Sequence, residues 1–282
     1  NTATHGRAAS KLTSSSTAIL HMIVTGISLC FSLTVYISLY YVAFYIVMTG
    51  LFALSIYVLM YTLDPYEPDY QDRLHSPGKR IPVDTYNDLD LDIFYNMSDQ
   101  HSWMKMSECL KHFLVPYNDT TQTHTNHHSC TQGHYFFQKK FEAPGHTKWA
   151  CPFTQSMLGN CSGLEDPSFG YNGSEPCVII KMNRIINFLP NNGTGMAPYV
   201  NCTVLVSMEY FPKNGTLDLS YFPYYGRKAQ PTYINPLVAV KIHLVQEREA
   251  KIQCRVVAHN IAYQNFYDPY EGKVIFHIRA SS

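Results

Sequence analysis

From residue 35 to residue 63 the chain reads VYISLYYVAFYIVMTGLFALSIYVLMYTL, 29 positions without a charged side chain. As an α-helix this run extends about 43 Å, against a hydrocarbon core of roughly 30 Å. Core helices of soluble proteins usually keep a polar stripe and are shorter. Residues 35–63 therefore predict one transmembrane helix.

Beyond the run the pattern shifts to short apolar stretches separated by Gly, Pro and Asn, with strands expected over 135–141, 177–182, 199–208, 236–245, 251–258 and 273–279. The last two alternate, with Ile252, Cys254 and Val256 on one face and Lys251, Gln253 and Arg255 on the other. Half-buried antiparallel strands have this period. Turn signals stand at Lys213-Asn214-Gly215 and Asn191-Asn192-Gly193.

Residues 98–116 break the strand pattern. Trp103, Met106, Cys109, Leu110 and Phe113 recur at three- and four-residue spacing, which predicts a short amphipathic helix with Ser98 as its N-cap and Cys109 as a buried thiol. The expected architecture is a single-pass type II membrane protein: one transmembrane α-helix and a β-sandwich ectodomain with an inserted helix. Its divisions are an N-terminal segment 1–34, the span 35–63, a juxtamembrane stalk 64–97 and a disulfide-linked, glycosylated ectodomain 98–282. The stalk follows from Pro65, Pro68, Pro77 and Pro82, which prevent a long helix.

Charge and modification signals orient the span. All 21 Asp and Glu residues lie beyond Leu63, as do seven N-glycosylation sequons at Asn96, Asn118, Asn160, Asn172, Asn192, Asn201 and Asn214. Sequons and paired cysteines have meaning in an oxidising, glycosylating compartment, so the C-terminal side faces the lumen or the exterior. Lys and Arg give weaker guidance, because only Arg7 and Lys11 precede the span and long domains translocate regardless of such charges. A signal segment at 19–33, or a helical hairpin, would leave the sequons and cysteines in the cytosol, and both are set aside. Residues 1–17 are Ser/Thr-rich and read as disordered.

Past Cys109 stand Cys130, Cys151, Cys161, Cys177, Cys202 and Cys254. Six cysteines allow 15 pairings, and spacing alone does not choose among them. A zinc reading wants paired CxxC spacing, which is absent, and the polar stretch with His124, His127 and His128 reads as a solvated loop rather than a metal site. No GxSxG, HExxH or Walker sequence occurs, so no catalysis or cofactor is called for. A formal net charge of zero gives no reason for a nucleic-acid partner. The 22 Tyr and 15 Phe suit an all-β domain with aromatic contact surfaces.

The strings YFPYYGRK (221–228), PLVAVK (236–241), KMNRIINFLP (181–190) and DPSFGY (166–171) carry a resemblance to the beta subunits of the P-type sodium/potassium and proton/potassium pumps. The stretches at 37–54, 64–78, 160–170 and 268–274 look nearest to the gastric proton/potassium type, with the sodium pump as alternative. The resemblance implies a non-catalytic subunit for folding, membrane delivery and stability of a catalytic alpha subunit, modulating potassium transport. It implies an immunoglobulin-like ectodomain and the pairs Cys130 with Cys151, Cys161 with Cys177, and Cys202 with Cys254. The location implied is the plasma membrane, apical, with alpha subunit and membrane lipid as partners. Residues 1–34 do not resemble the charged tail of the family. A stand-alone adhesion glycoprotein is the competing function.

Two aromatic groups are expected to contact the alpha subunit. Tyr40, Tyr41, Phe44 and Tyr45 fall on one side of the span, with Gly50 allowing close approach. Tyr221, Phe222, Pro223, Tyr224, Tyr225 and Gly226 are expected at a sheet edge as an exposed aromatic patch.

Overall fold

The computed structural model describes residues 34–64, 66–68, 76–77, 79–80, 91–125, 130–139, 147–193, 195–203, 206–244, 249–265, 267 and 271–281. The readings of residues 1–33, of His127 and His128, and of most of the expected stalk lie outside these residues. The chain divides into two compact units, 1–63 and 64–282.

In the first unit, helix α1 covers Thr34–Thr62, 29 residues that are long and apolar enough to cross a membrane. None of its most apolar window is buried within the protein. Such a surface is stable where lipid or another protein surrounds it.

The second unit is a sandwich of two four-stranded sheets. Its strands are β1 (Lys79–Arg80), β2 (Leu91–Asn96), β3 (Cys177–Met182), β4 (Tyr199–Thr203), β5 (Met208–Phe211), β6 (Leu237–Ile242), β7 (Glu249–Val257) and β8 (Lys273–Ser281). One sheet runs β1-β3-β6-β5 and the other β2-β8-β7-β4. All pairs are antiparallel except β2 with β8.

Alternation explains the second sheet. Ala250, Ile252, Cys254 and Val256 of β7 and Val274, Phe276, Ile278 and Ala280 of β8 point into one core, while their neighbours are half-buried or exposed. Strands β3 and β6 are instead buried on nearly every residue. The 3-10 turn Gln155–Cys161 packs against β6, so the face of that strand away from the other sheet is covered as well. Continuous apolar runs belong to strands covered on both sides.

Helix α2 covers Gln100–Leu114 and buries Leu110 and Leu114, with Trp103, Met106 and Phe113 packed against the core. Its N-cap is Asp99, whose carboxylate accepts from His101 N at 3.0 Å, and not the expected Ser98. Ser98 instead donates its backbone N–H to Asn96 Oδ1 at 2.8 Å. Cys109 is half-buried and lies outside the three disulfides.

Four further expectations are corrected. Strand β2 lies where the stalk was expected: Ile93 and Tyr95 are buried, so the ladder of β8 continues into it. The expected strand 199–208 is two strands, because β4 pairs with β7 and β5 with β6 in the other sheet. Residues 135–139 join no ladder, although Phe136 N donates to Phe222 O at 2.9 Å. The polar stretch after Tyr117 opens with a short helix, α3 (Asp119–Thr125), begun by Asn118, whose Oδ1 accepts from Thr120 N at 2.9 Å.

Candidate functional site

On α1 the aromatic residues pair along the helix. Tyr40 stacks on Phe44 and Tyr41 on Tyr45, each with ring centroids 6.4 Å apart, and edge contacts at 5.7 Å join the two pairs. Spacings of one and four residues put all four rings on one face. Their side chains are exposed, Tyr40 by 65% and Tyr45 by 64%.

Gly50 does not share that face. Five residues after Tyr45 the helix has turned by about 140° from it, given roughly 100° per residue. Seven residues after Gly50, Tyr57 returns to the side of the glycine and stacks on Tyr61 at 6.5 Å. A Cβ at Gly50 would meet nothing within 4 Å, so the glycine makes a shallow notch on a second face.

The second aromatic group is built differently. Tyr221 ends the 3-10 turn Leu219–Tyr221, Phe222 follows in extended backbone, and a cis Phe222–Pro223 bond leads on to Tyr224 and Tyr225. All four rings are buried, between 4% and 9% exposed. The expectation of an exposed aromatic patch is therefore corrected: these rings are core.

Residues far away in sequence enclose them. Tyr221 meets Phe153 edge-on at 5.6 Å and donates its hydroxyl to Pro152 O at 3.2 Å. Phe222 meets Phe188 at 6.4 Å. Tyr224 packs on Tyr233 at 4.6 Å, bridges Ile186 and accepts Asn187 N at its carbonyl at 2.8 Å. The Tyr225 hydroxyl accepts from Gln138 N at 2.9 Å, and its backbone N–H donates to Gln230 Oε1 at 3.0 Å. Burial pushes the phenols of Tyr221, Tyr225 and Tyr233 up from their ordinary range.

Cations sit on this cluster. Lys148 Nζ lies 3.8 Å from the Tyr225 ring centre, and Arg184 lies 5.4 Å from that of Tyr224. Burial lowers the Lys148 ammonium from its ordinary value, while the charge of Glu67 acts the other way. Gly226, at φ 92°, lies where a Cβ would come within 3.1 Å of Ile186 Cδ1 and 3.5 Å of Tyr66 O. Arg227 and Lys228 then emerge exposed, Lys228 over the Tyr66 ring at 4.7 Å. Sequence reading missed Lys148, Arg184, Gln138 and Gln230, which carry no local periodicity. The one available signal was the Pro next to consecutive aromatics, and that suited an edge equally well.

The three disulfides are Cys130–Cys151, Cys161–Cys177 and Cys202–Cys254, the pairs that the resemblance implied. Cys202 and Cys254 stand directly opposite in the β4–β7 ladder. Asn118, Asn160, Asn172, Asn201 and Asn214 are exposed and Asn96 is half-buried, whereas the side chain of Asn192 is outside the described residues. Among the described residues no group of His, Cys, Asp and Glu is arranged to hold a metal ion.

The family model for the sodium/potassium ATPase beta chain matches residues 32–276. The potassium-transporting ATPase subunit beta of Oryctolagus cuniculus is 52% identical over 255 residues, covering 87% of this chain and 86% of the relative. That of Homo sapiens is 51% identical with the same coverage. The sodium/potassium-transporting ATPase subunit beta-2 of Mus musculus is 40% identical over 254 residues, 86% of each. This chain belongs to the sodium/potassium ATPase beta chain family.

Proposed function

We propose that this protein is the non-catalytic beta subunit of a proton/potassium-exchanging P-type ATPase. It assembles with a catalytic alpha subunit, supports the folding and membrane delivery of that partner, and modulates potassium transport. The observation that carries the reading is the difference in identity over one aligned length, 52% to a potassium-transporting beta subunit and 40% to a sodium/potassium one. The wholly exposed helix α1 supports assembly, since its stacked aromatic face leaves a surface for lipid or a partner helix.

In this reading residues 64–282 stand outside the cell, at an apical plasma membrane. The face of Tyr40, Tyr41, Phe44 and Tyr45 meets an alpha-subunit helix, and the Gly50 notch offers a second face to a neighbour or to lipid. The segment 221–226 shapes the extracellular contact from within, by holding Gly226 and the exposed Arg227 and Lys228 on a rigid aromatic base. The sequons on exposed asparagines are glycan acceptors.

Purification of the tagged full chain in mild detergent from cells expressing both alpha types tests this. The expected partner is the proton/potassium alpha subunit. Recovery of the sodium/potassium alpha subunit in its place contradicts the pump assignment, and recovery of neither contradicts the assembly role.

A further inference from the structure

Beside the turn that follows β5 lies a cleft of about 390 Å³, lined among others by Phe153, Phe211, Lys213, Thr216, Asp218 and Tyr221. Its volume is that of a small-ligand site, and its wall mixes apolar groups such as Phe211 and Met157 with polar ones such as Gln132 and Lys213. Asp218 is already engaged at the rim, accepting Gly133 N at 3.0 Å and Ser220 N at 2.9 Å. Phe153 and Tyr221 are buried behind the wall, so the half-buried Phe211 is the ring that the cleft offers.

The turn at its mouth carries a sequon. Gly215 N donates to Pro212 O at 2.8 Å, and Asn214 and Gly215 stand at φ 62° and 65°. Gly215 is required there, because a Cβ would lie 2.8 Å from Val200 O. Asn214 is exposed at the tip, while Thr216 donates its hydroxyl to Lys213 O at 3.2 Å and lines the cleft together with Phe211. The aromatic three positions before the acceptor and the threonine two positions after it thus open on one hollow. Of the sequon Ser and Thr residues described, Thr216 alone lines it.

With Asn214 a glycan acceptor as in the reading above, we propose that the first N-acetylglucosamine of its glycan lies in this cleft, against Phe211 and the Thr216 methyl. The inference rests on the reading that residues 64–282 face the lumen. In the transfer, Asn214 Nδ2 forms a bond to the anomeric carbon of an oligosaccharide carried on a lipid diphosphate. The anomeric C–O bond breaks, the lipid diphosphate leaves, and Nδ2 gives up one proton. The C–H face of a pyranose is weakly positive and apolar, and an aromatic ring presents a negative face to it. The sugar hydroxyls remain in water, so the contact stabilises the folded chain without burying an unpaired polar group.

The test uses the full chain, made in cells that add high-mannose glycans and purified in detergent, beside its Asn214→Asp variant. Aspartate keeps the tolerance of the left-handed backbone and removes the acceptor amide. Glycopeptide mass spectrometry is expected to find Asn214 occupied, and the variant is expected to melt about 2–4 °C lower. An endoglycosidase that leaves one sugar on each Asn should preserve that difference, whereas complete deglycosylation should abolish it. In a Phe211→Leu background the difference should shrink. If that background does not fold, the one-sugar arm decides alone. An empty Asn214 beside other occupied sequons overturns the inference and leaves the topology standing, as does a difference that vanishes on trimming to one sugar. Absence of glycan at every sequon overturns the topology itself.

Discussion

Two aromatic clusters of similar composition, one on α1 and one at 221–225, reach opposite ends. The rings of Tyr40, Tyr41, Phe44 and Tyr45 pair with one another, and they remain exposed. Tyr221, Phe222, Tyr224 and Tyr225 are enclosed by rings, amides and cations from four separate stretches of the ectodomain. The second group has its partners within the chain. The first leaves its surface to lipid or to another protein.

The largest expected effect breaks the inner cluster. Changing Tyr224 and Tyr225 together to Ser removes two buried rings, each worth about 3–5 kcal/mol by the cost of large-to-small core changes. That sum reaches a typical domain stability of about 5–15 kcal/mol. The double variant should lose its cooperative melting transition and remain in the endoplasmic reticulum, as followed by glycan maturation. A variant that melts normally would return these rings to the surface.

Removing one disulfide comes next. Cys202 and Cys254 are 52 residues apart, and opening a loop of that size costs about 4 kcal/mol in the chain-entropy model. Cys254→Ser should reduce surface delivery severalfold, read by cell-surface labelling.

How much of this was legible beforehand differs from element to element. Strand β3 was read to the residue, since Cys177–Met182 is an apolar run bounded by polar turns. Strand β2 was missed because its residues LDIFYN follow an acidic stretch and owe their place to a parallel partner about 180 residues later, which no local pattern announces. The burial of 221–225 was hidden for the same reason, as the groups that cover it come from 136–138, 148–153, 184–188 and 230–233. The disulfide pairing came from family resemblance, because spacing left 15 choices. The Gly50 face needed only a count of residues around the helix.

A smaller effect concerns acid. The Glu175 carboxylate accepts from Lys241 at 2.8 Å and from His243 at 3.1 Å, and these two bonds, Lys241 first, hold it below its ordinary range. A lowered carboxylate adds stability above its unfolded value, near pH 4.3, and that stability is lost as pH falls through the folded value. The pair is partly exposed, so its worth stays within about 1 kcal/mol. Glu175→Gln should lower the melting midpoint by about 1–3 °C at pH 7, and the gap should close by about pH 3. A gap that widens in acid would reverse the sign of this assignment.

The most direct test of the account is alpha-subunit recovery by the Tyr41→Leu/Tyr45→Leu chain in mild detergent, measured beside its melting midpoint. Leucine keeps the helix and its affinity for lipid but removes the stacked rings. The account predicts a severalfold loss of alpha subunit per tagged chain, with the midpoint of the ectodomain within about 1 °C of the parent, since exposed side chains contribute little to stability. Undiminished recovery of the alpha subunit would contradict it and leave the aromatic face of α1 to lipid.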